Sequence, residues 1–250
     1  TSMTDRYYAP HLSDAESCEL EGAEFHHLSH VMRAGVGDRI VVFDGSGTSA
    51  DAEIVELTRS RATLRILSRQ IEPPGEVPNV VLATAVPKAD RFRWLVEKAT
   101  ELGVSRLIPL QTSRSVTEPG ATRLDKMRAA VIEACKQSGR NRLMTIDPLT
   151  DWPSFLSAAA ATGRLVIADP GGPARASLCE VKASDRTLVL VVGPEGGLTD
   201  GEVIQAVDAG GRCISLGPHI LRTETAAVAL AALCLLPGSE RNSVPPNLQR

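Results

Sequence analysis

No apolar run in this chain of 250 residues approaches the roughly 18 residues that a membrane-crossing helix needs. The longest, Ala226 to Leu236, reads as a buried helix. The start has no basic-then-apolar signal pattern. Five cysteines, at 18, 135, 179, 213 and 234, are odd in number, scattered and without a CxxC pair. A disulfide framework and a zinc ribbon are therefore both unsupported. These absences predict a soluble, cytoplasmic, thiol-reduced protein. Neither the P-loop pattern GxxxxGK[ST] nor the dinucleotide pattern GxGxxG occurs. No GxSxG elbow occurs either, so a Ser–His hydrolase is unsupported. Four of the five histidines fall in the first 30 residues, and His26, His27 and His30 lack carboxylates at metal-ligand spacing. No metal site is expected.

What is present is a globular composition, 43% hydrophobic and 23% charged, enough to bury a sizeable core. The net charge of −3 hides an uneven distribution. Residues 1–79 carry 7 basic and 13 acidic side chains, residues 80–142 carry 12 and 6, and residues 143–250 carry 8 and 11. A basic middle third attracts phosphates, or else forms a solvated helix face balanced by acidic neighbours. Charge alone leaves both readings open.

Ile71-Glu-Pro-Pro-Gly-Glu-Val-Pro78 reads as a linker, because three prolines and a glycine continue neither a helix nor a central strand. Before it, strand-like runs at 39–43, 52–57 and 62–67 dominate, with a hairpin turn at Asp44-Gly-Ser-Gly47. Glu21–Arg33 reads as one short helix, with Phe25, Leu28 and Met32 at helical spacing. After the linker, strands and helices alternate. Val80–Val86 is continuously apolar, as a strand covered on both faces must be. Strands follow at 104–110, 165–168, 188–192 and 213–216, with helices at 92–102, 124–135, about 199–209 and 222–236. Cys135 lies on the apolar face of its helix and reads as core. The alternation predicts an α/β domain with a largely parallel sheet and helices on both faces. The expected domains are 1–74 and 75–250, with a loose Pro-rich tail from Pro237.

Three segments carry candidate chemistry. Val189-Leu-Val-Val-Gly-Pro-Glu-Gly-Gly197 runs a buried strand into a glycine-rich turn, and Thr199-Asp-Gly-Glu202 then fits a capping box. Ligands bind beyond the carboxyl ends of parallel strands, so this turn is either a binding loop or a plain strand–helix connection. Ile214-Ser-Leu-Gly-Pro-His-Ile-Leu-Arg-Thr-Glu-Thr225 repeats the pattern. Glu224 suits a helix N-terminus electrostatically, whereas Arg222 does not and points to a ligand or phosphate role. Glu133-Ala-Cys-Lys-Gln-Ser-Gly-Arg-Asn-Arg142 gathers cations at a helix end, where they also complement the dipole.

These three segments, in this order and spacing, resemble the RsmE-type ribosomal RNA uridine-N3 methyltransferases of the SPOUT class. Arg6-Tyr-Tyr8, Val31-Met-Arg-Ala-Gly35 and Phe43-Asp-Gly45 are similar to that family's PUA-like N-terminal domain. Val96-Glu-Lys-Ala-Thr-Glu-Leu-Gly103 and Pro109-Leu110 are similar to its first catalytic units. The resemblance implies a β-rich RNA-binding domain followed by a trefoil-knotted domain. It also implies a homodimer, S-adenosyl-L-methionine as donor, and N3 of a uridine in small-subunit (16S) ribosomal RNA as acceptor.

On that resemblance, Val192, Gly193, Glu195, Gly196, Gly197, Leu216, Gly217, Leu221 and Thr223 would hold the donor. Arg222 would stabilise negative charge on the uracil oxygens, with Glu224 orienting it or acting as base. Arg6, Arg33, Arg114, Lys136, Arg140 and Asn141 would contact RNA, and no metal is needed. The rival readings are a knotted methyltransferase acting on another RNA, a non-catalytic RNA-binding assembly factor, and a nucleotide-binding α/β protein.

Overall fold

A computed structural model describes residues 5–12, 16–73, 79–116, 118–173 and 187–235. The linker residues from 74 to 78, Cys179 and the tail from Pro237 lie outside the described residues. The chain divides into two compact units, one of residues 1–76 with 128–144, the other of residues 77–127 with 145–250.

The first unit is built on a five-stranded sheet of β1 (Arg6–Tyr8), β2 (Ser17–Glu21), β3 (Arg39–Phe43), β4 (Thr48–Leu57) and β5 (Arg61–Ile71), in the order β1-β3-β4-β5-β2. Only β1–β3 is parallel; the other pairings are antiparallel. Alternating residues such as Ile40 and Val42, or Ala62 and Leu64, point into a core shared with Tyr7, Leu20, Phe25 and Leu28. Strand β5 continues through Ile71, so it takes the first residue of the expected linker.

The helix expected at 21–33 is shorter and changes type. α1 covers Gly22–His26, and His27–Val31 form a π-helical turn in which the Met32 N–H reaches back to the His27 carbonyl. The extra residue in that turn rotates the chain off its 3.6-residue period. Phe25 and Leu28 remain buried while Met32 emerges 42% exposed. Arg33 then leaves through a left-handed backbone conformation at φ 55.

The second unit carries an all-parallel sheet of β6 (Asn79–Ala85), β7 (Arg106–Gln111), β8 (Thr145–Ile146), β9 (Thr150–Asp151), β10 (Arg164–Ala168), β11 (Thr187–Val192) and β12 (Arg212–Ile214). The strand order is β12-β10-β11-β6-β7-β8, with β9 also on β7. Helices α2 (Ala89–Leu102), α3 (Ala121–Ser138), α4 (Trp152–Ala159), α5 (Asp200–Asp208) and α6 (Thr223–Leu235) complete the described elements. The division between units falls within α3. Trp152 and Phe155 of α4 and Ala206 of α5 bury one face of the sheet, including Val81, Ile108, Val189 and Val191. On α2, the apolar stripe Phe92, Leu95, Val96 and Ala99 is fully buried. α2 packs on α6, and α6 on β6 and β11.

Much of the basic middle third is neutralised locally. Arg93 pairs with Glu97, Lys98 with Glu101, and Arg106 with Asp147. Lys136 pairs with Glu24 and Glu133, and Arg142 with Glu72. For these residues the balanced-face reading holds. Cys135 is fully buried, and burial pushes its thiol up to about 11, consistent with a core residue.

The expected capping box is present. The Thr199 hydroxyl accepts from the Glu202 N–H, and the Glu202 carboxylate accepts from the Thr199 N–H at 2.7 Å. The other carboxylate oxygen accepts from the Ser113 N–H at 2.8 Å, so a buried side chain ties the start of α5 to the chain leaving β7. Burial by itself would raise the Glu202 pKa, but these hydrogen bonds outweigh it and hold the group below its ordinary value. Stability from this carboxylate is therefore complete above the ordinary glutamate range and is lost as pH falls through the depressed value. Glu202→Ala is expected to cost about 1–3 kcal/mol in urea unfolding at neutral pH. The difference from the unmodified chain should shrink in acid, where the carboxylate is protonated.

Candidate active site

Because every strand of the second sheet is parallel, the carboxyl ends of β10, β11 and β12 lie along one edge. Their exit loops close on a cavity of about 100 Å³. The β11 exit is the glycine-rich turn: Val192 ends the strand, Gly193 and Pro194 follow, and the Gly197 N–H closes on the Pro194 carbonyl at 2.8 Å. Gly197 stands at φ +71 and Gly217 at φ +136, conformations that side chains rarely adopt. A side chain at either would meet nothing within 4 Å, so each glycine leaves open space. Gly193 is under steric control instead, since a Cβ there would sit 3.0 Å from the Leu198 nitrogen.

The loops are bound to one another. Thr223 Oγ1 donates to the Gly193 carbonyl at 3.3 Å, joining the start of α6 to the β11 exit. The Asp169 N–H donates to the Ile214 carbonyl at 2.9 Å, joining the β10 and β12 exits. Of the nine residues expected to hold a donor, Val192, Gly193, Glu195, Gly197, Leu216, Gly217, Leu221 and Thr223 line this one cavity. Gly196 does not line it. Its carbonyl accepts from Arg114 Nη1 at 2.6 Å, and the Leu198 carbonyl accepts from the same nitrogen at 3.3 Å. Arg114 thus braces the outside of the glycine loop. The cavity also takes Ala168 and Asp169 from the β10 exit, together with Ser215, His219 and Ile220, which sequence reasoning had not assigned.

Arg222 and Glu224 stand at the start of α6, and the Arg222 carbonyl accepts the Ala226 N–H at 2.9 Å. The Arg222 side chain is exposed, whereas Glu224 is only 6% exposed. Glu224 Oε2 is buried with no hydrogen-bond partner among the described residues. Its other oxygen faces Arg91 of α2, whose Nη1 lies 3.7 Å from Glu224 Oε1 and 3.5 Å from Glu195 Oε1. Sequence reasoning passed over Arg91. Its one signal was a cation in the first turn of a helix, where the dipole disfavours it.

Among the residues expected to meet RNA, Arg6, Arg140 and Asn141 come together in the first unit. Arg6 donates to Asn141 Oδ1 and to the Arg140 carbonyl, and its guanidinium lies over the Phe43 ring at 5.1 Å. Asn141 Nδ2 donates to Glu72 at 2.8 Å. Burial lowers the pKa of both Arg6 and Arg140. Lys136, ion-paired with two glutamates, also lies 5.7 Å from the Tyr7 ring centroid. Arg33 is exposed at its left-handed position, and Arg114 belongs to the second unit. No group of three or more His, Cys, Asp or Glu able to hold a metal occurs among the described residues.

The cavity, with its open glycine positions and its mixed backbone and side-chain polar groups, belongs to a class of RNA-modifying domains. Residues 74–235 match the family model described as RNA methyltransferase domain, and residues 20–67 match the RNA methyltransferase PUA domain. The ribosomal RNA small subunit methyltransferase E of Bacillus subtilis is 30% identical over 89% of this chain and 91% of its own length. That of Mycobacterium bovis is 33% identical over 92% of this chain and 91% of its own length. Among solved structures, the Neisseria gonorrhoeae enzyme of the same name, bound to S-adenosyl methionine, superposes with a TM-score of 0.82. It is 32% identical and covers 92% of this chain and 95% of its own. A Legionella pneumophila methyltransferase with bound cofactor also gives 0.82, at 26% identity over 92% and 96% of the two chains. The chain belongs to the ribosomal RNA small subunit methyltransferase E family.

Arg114→Ala should loosen the glycine loop without unfolding the domain. Amide hydrogen exchange at residues 196–198 is expected to rise about tenfold, the loss of roughly one charge-assisted hydrogen bond, while the urea midpoint stays nearly unchanged.

Proposed function

We propose that this chain transfers the methyl group of S-adenosyl-L-methionine to N3 of a uridine in small-subunit (16S) ribosomal RNA. The observation that carries the reading is the convergence of the β11 and β12 glycine loops on one cavity, with Arg222 and Glu224 at the helix start beside it. Family membership and the methyl donor bound in the Neisseria relative support it. The donor supplies a methyl group on a sulfonium, and Gly197 and Gly217, with open space where a side chain would start, line the cavity that would hold it.

Neutral uracil carries a proton on N3 and is a poor nucleophile there, so the protein must receive that proton and stabilise the charge left behind. Arg222 faces the uracil oxygens and stabilises that charge electrostatically. Glu224, whose buried Oε2 lacks a hydrogen-bond partner among the described residues, is the candidate to orient the imide or take its proton. Val192, Gly193, Glu195, Gly196, Gly197, Leu216, Gly217, Leu221 and Thr223 hold or shape the donor loop. Fixed placement of donor and acceptor supplies much of the remaining rate.

In this reading residues 1–74 are a PUA-like RNA-binding domain and residues 75–250 the methyltransferase domain, with its trefoil knot. The match of residues 20–67 and 74–235 to two family models supports that partition. Arg33 meets RNA directly, and Arg114 does so from its place against the glycine loop. Arg6, Lys136, Arg140 and Asn141 do so from the surface that their internal contacts organise. The chain acts in the cytoplasm as a homodimer, with the apolar α6 near the partner.

The test uses labelled S-adenosyl-L-methionine with small ribosomal subunits lacking the modification, followed by nucleoside analysis. Label is expected in 3-methyluridine; label in any other nucleoside rejects the assignment. Arg222→Ala should lower kcat by roughly 10²–10³ with donor affinity retained, as for loss of one oxyanion-stabilising group.

A further inference from the structure

A second cavity, of about 340 Å³, opens past the carboxyl end of β6 and is lined by Lys88, Arg91, Ser115 and Val116. Pro194 and Glu195 form part of its wall and part of the wall of the first cavity, so one loop segment separates the two spaces. A transfer between two bound molecules needs this arrangement, because the reacting atoms must meet across a short common boundary. Arg91 in this wall is balanced by Glu195 and Glu224, so the cavity's preference for an anion rests on Lys88. Lys88 is the N-cap of the 14-residue α2 and makes no side-chain cap hydrogen bond. The Arg91 N–H donates to the Lys88 carbonyl at 3.1 Å, and the N-cap side chain supplies no oxygen to the other first-turn N–H groups of α2, as at other phosphate-binding helix starts.

Glu224 supplies the independent observation. Its carboxylate is more than nine-tenths buried, and Oε1 lies 3.7 Å from the guanidinium of Arg91, itself part of the cavity wall. Oε2 keeps no partner among the described residues. A buried carboxylate oxygen without a donor is costly unless something brings one. An imide N–H is such a donor.

We propose that this second cavity seats the acceptor nucleotide, a uridine monophosphate unit of RNA. Its phosphate lies at Lys88 and the start of α2, and its imide faces Glu224. Arg91 is a positioning residue: by holding Glu224 through one oxygen it leaves the other for N3–H, and through Glu195 it ties that arrangement to the donor loop. The inference rests on the methyltransferase reading for the identity of the base. Lys88, the shared wall and the orphaned oxygen stand without it.

Titration with uridine 5′-monophosphate in the presence of S-adenosylhomocysteine tests the site without turnover. Amide shifts are expected at residues 86, 88–91 and 115–116, and Lys88→Ala should weaken binding about tenfold, as for one charge-assisted contact. No shift at these residues at millimolar nucleotide, or shifts confined elsewhere, overturns the proposal. In methylation assays Lys88→Ala should raise KM for the RNA with kcat little changed, while Arg91→Gln lowers kcat about 10²-fold and Arg91→Lys restores most of it. Unaltered KM and kcat in both Lys88→Ala and Arg91→Gln would also sink it. An unmodified chain that transfers no methyl group would reject the methyltransferase reading, a result independent of the nucleotide titration.

Discussion

The placement of β11 between β6 and β10 in an all-parallel sheet is the constraint on which the rest of the second unit depends. A strand paired on both edges and covered on both faces must be apolar throughout, and residues 188–192 are all buried. It also ends where its neighbours end, since Val192 is in register with Ala168 of β10 and Thr84 of β6. Loops leaving three adjacent strands at one level cannot avoid each other. Gly193 lets them approach without side-chain collision, Gly197 and Gly217 supply the left-handed turns, and the Thr223–Gly193 and Asp169–Ile214 hydrogen bonds fix the approach. The cavity is thus a consequence of strand register.

Electrostatics divides the basic middle third into two populations. Residues such as Arg93, Lys98 and Arg106 have carboxylates within ion-pair distance and sit on exposed faces, where such pairs contribute little to stability. Lys136 is different: its side chain is only 10% exposed between Glu24 and Glu133, so removing either partner would leave a nearly buried charge. Arg6 is likewise built into the first unit. Its contacts with Asn141 and Phe43 hold β1 to the segment after α3, so these cations organise a surface before they could read one.

Legibility in the sequence followed the range of the interaction. The parallel sheet could be read because burial on both faces imposes continuous apolar runs at 80–86 and 188–192. The capping box could be read because its two partners lie three residues apart. The glycine loops were legible because a strand must be followed by something that turns. Arg91 was not, because its meaning depends on Glu195 and Glu224, more than a hundred residues away, and its own helix offers Arg93 at nearly the same position. The π-turn at His27–Val31 was hidden for a related reason. Phe25, Leu28 and Met32 fit a regular helix, and only the fold shows that Met32 has been rotated out of the core. Region 145–163 yielded no elements in the sequence: β8 and β9 are two residues each, too short to generate a period, and α4 spans only about two turns, although its Asp151 cap and Pro153 were signals passed over.

Glu224 occupies a position that packing alone would fill differently. Three of its neighbours in α6, Ala226, Ala227 and Leu230, are apolar and buried, so an apolar residue at 224 would suit packing as well. The helix dipole favours a carboxylate there by at most about 1–2 kcal/mol. Burying that carboxylate with one oxygen lacking a hydrogen bond works against the gain by a comparable or larger amount. Arg91 offsets the charge, but at 3.7 Å it makes no hydrogen bond within normal range. A folding argument alone therefore does not account for glutamate at this position. A donor arriving from outside the protein does, and the guanidinium beside that side chain belongs to Arg91, which lines the second cavity.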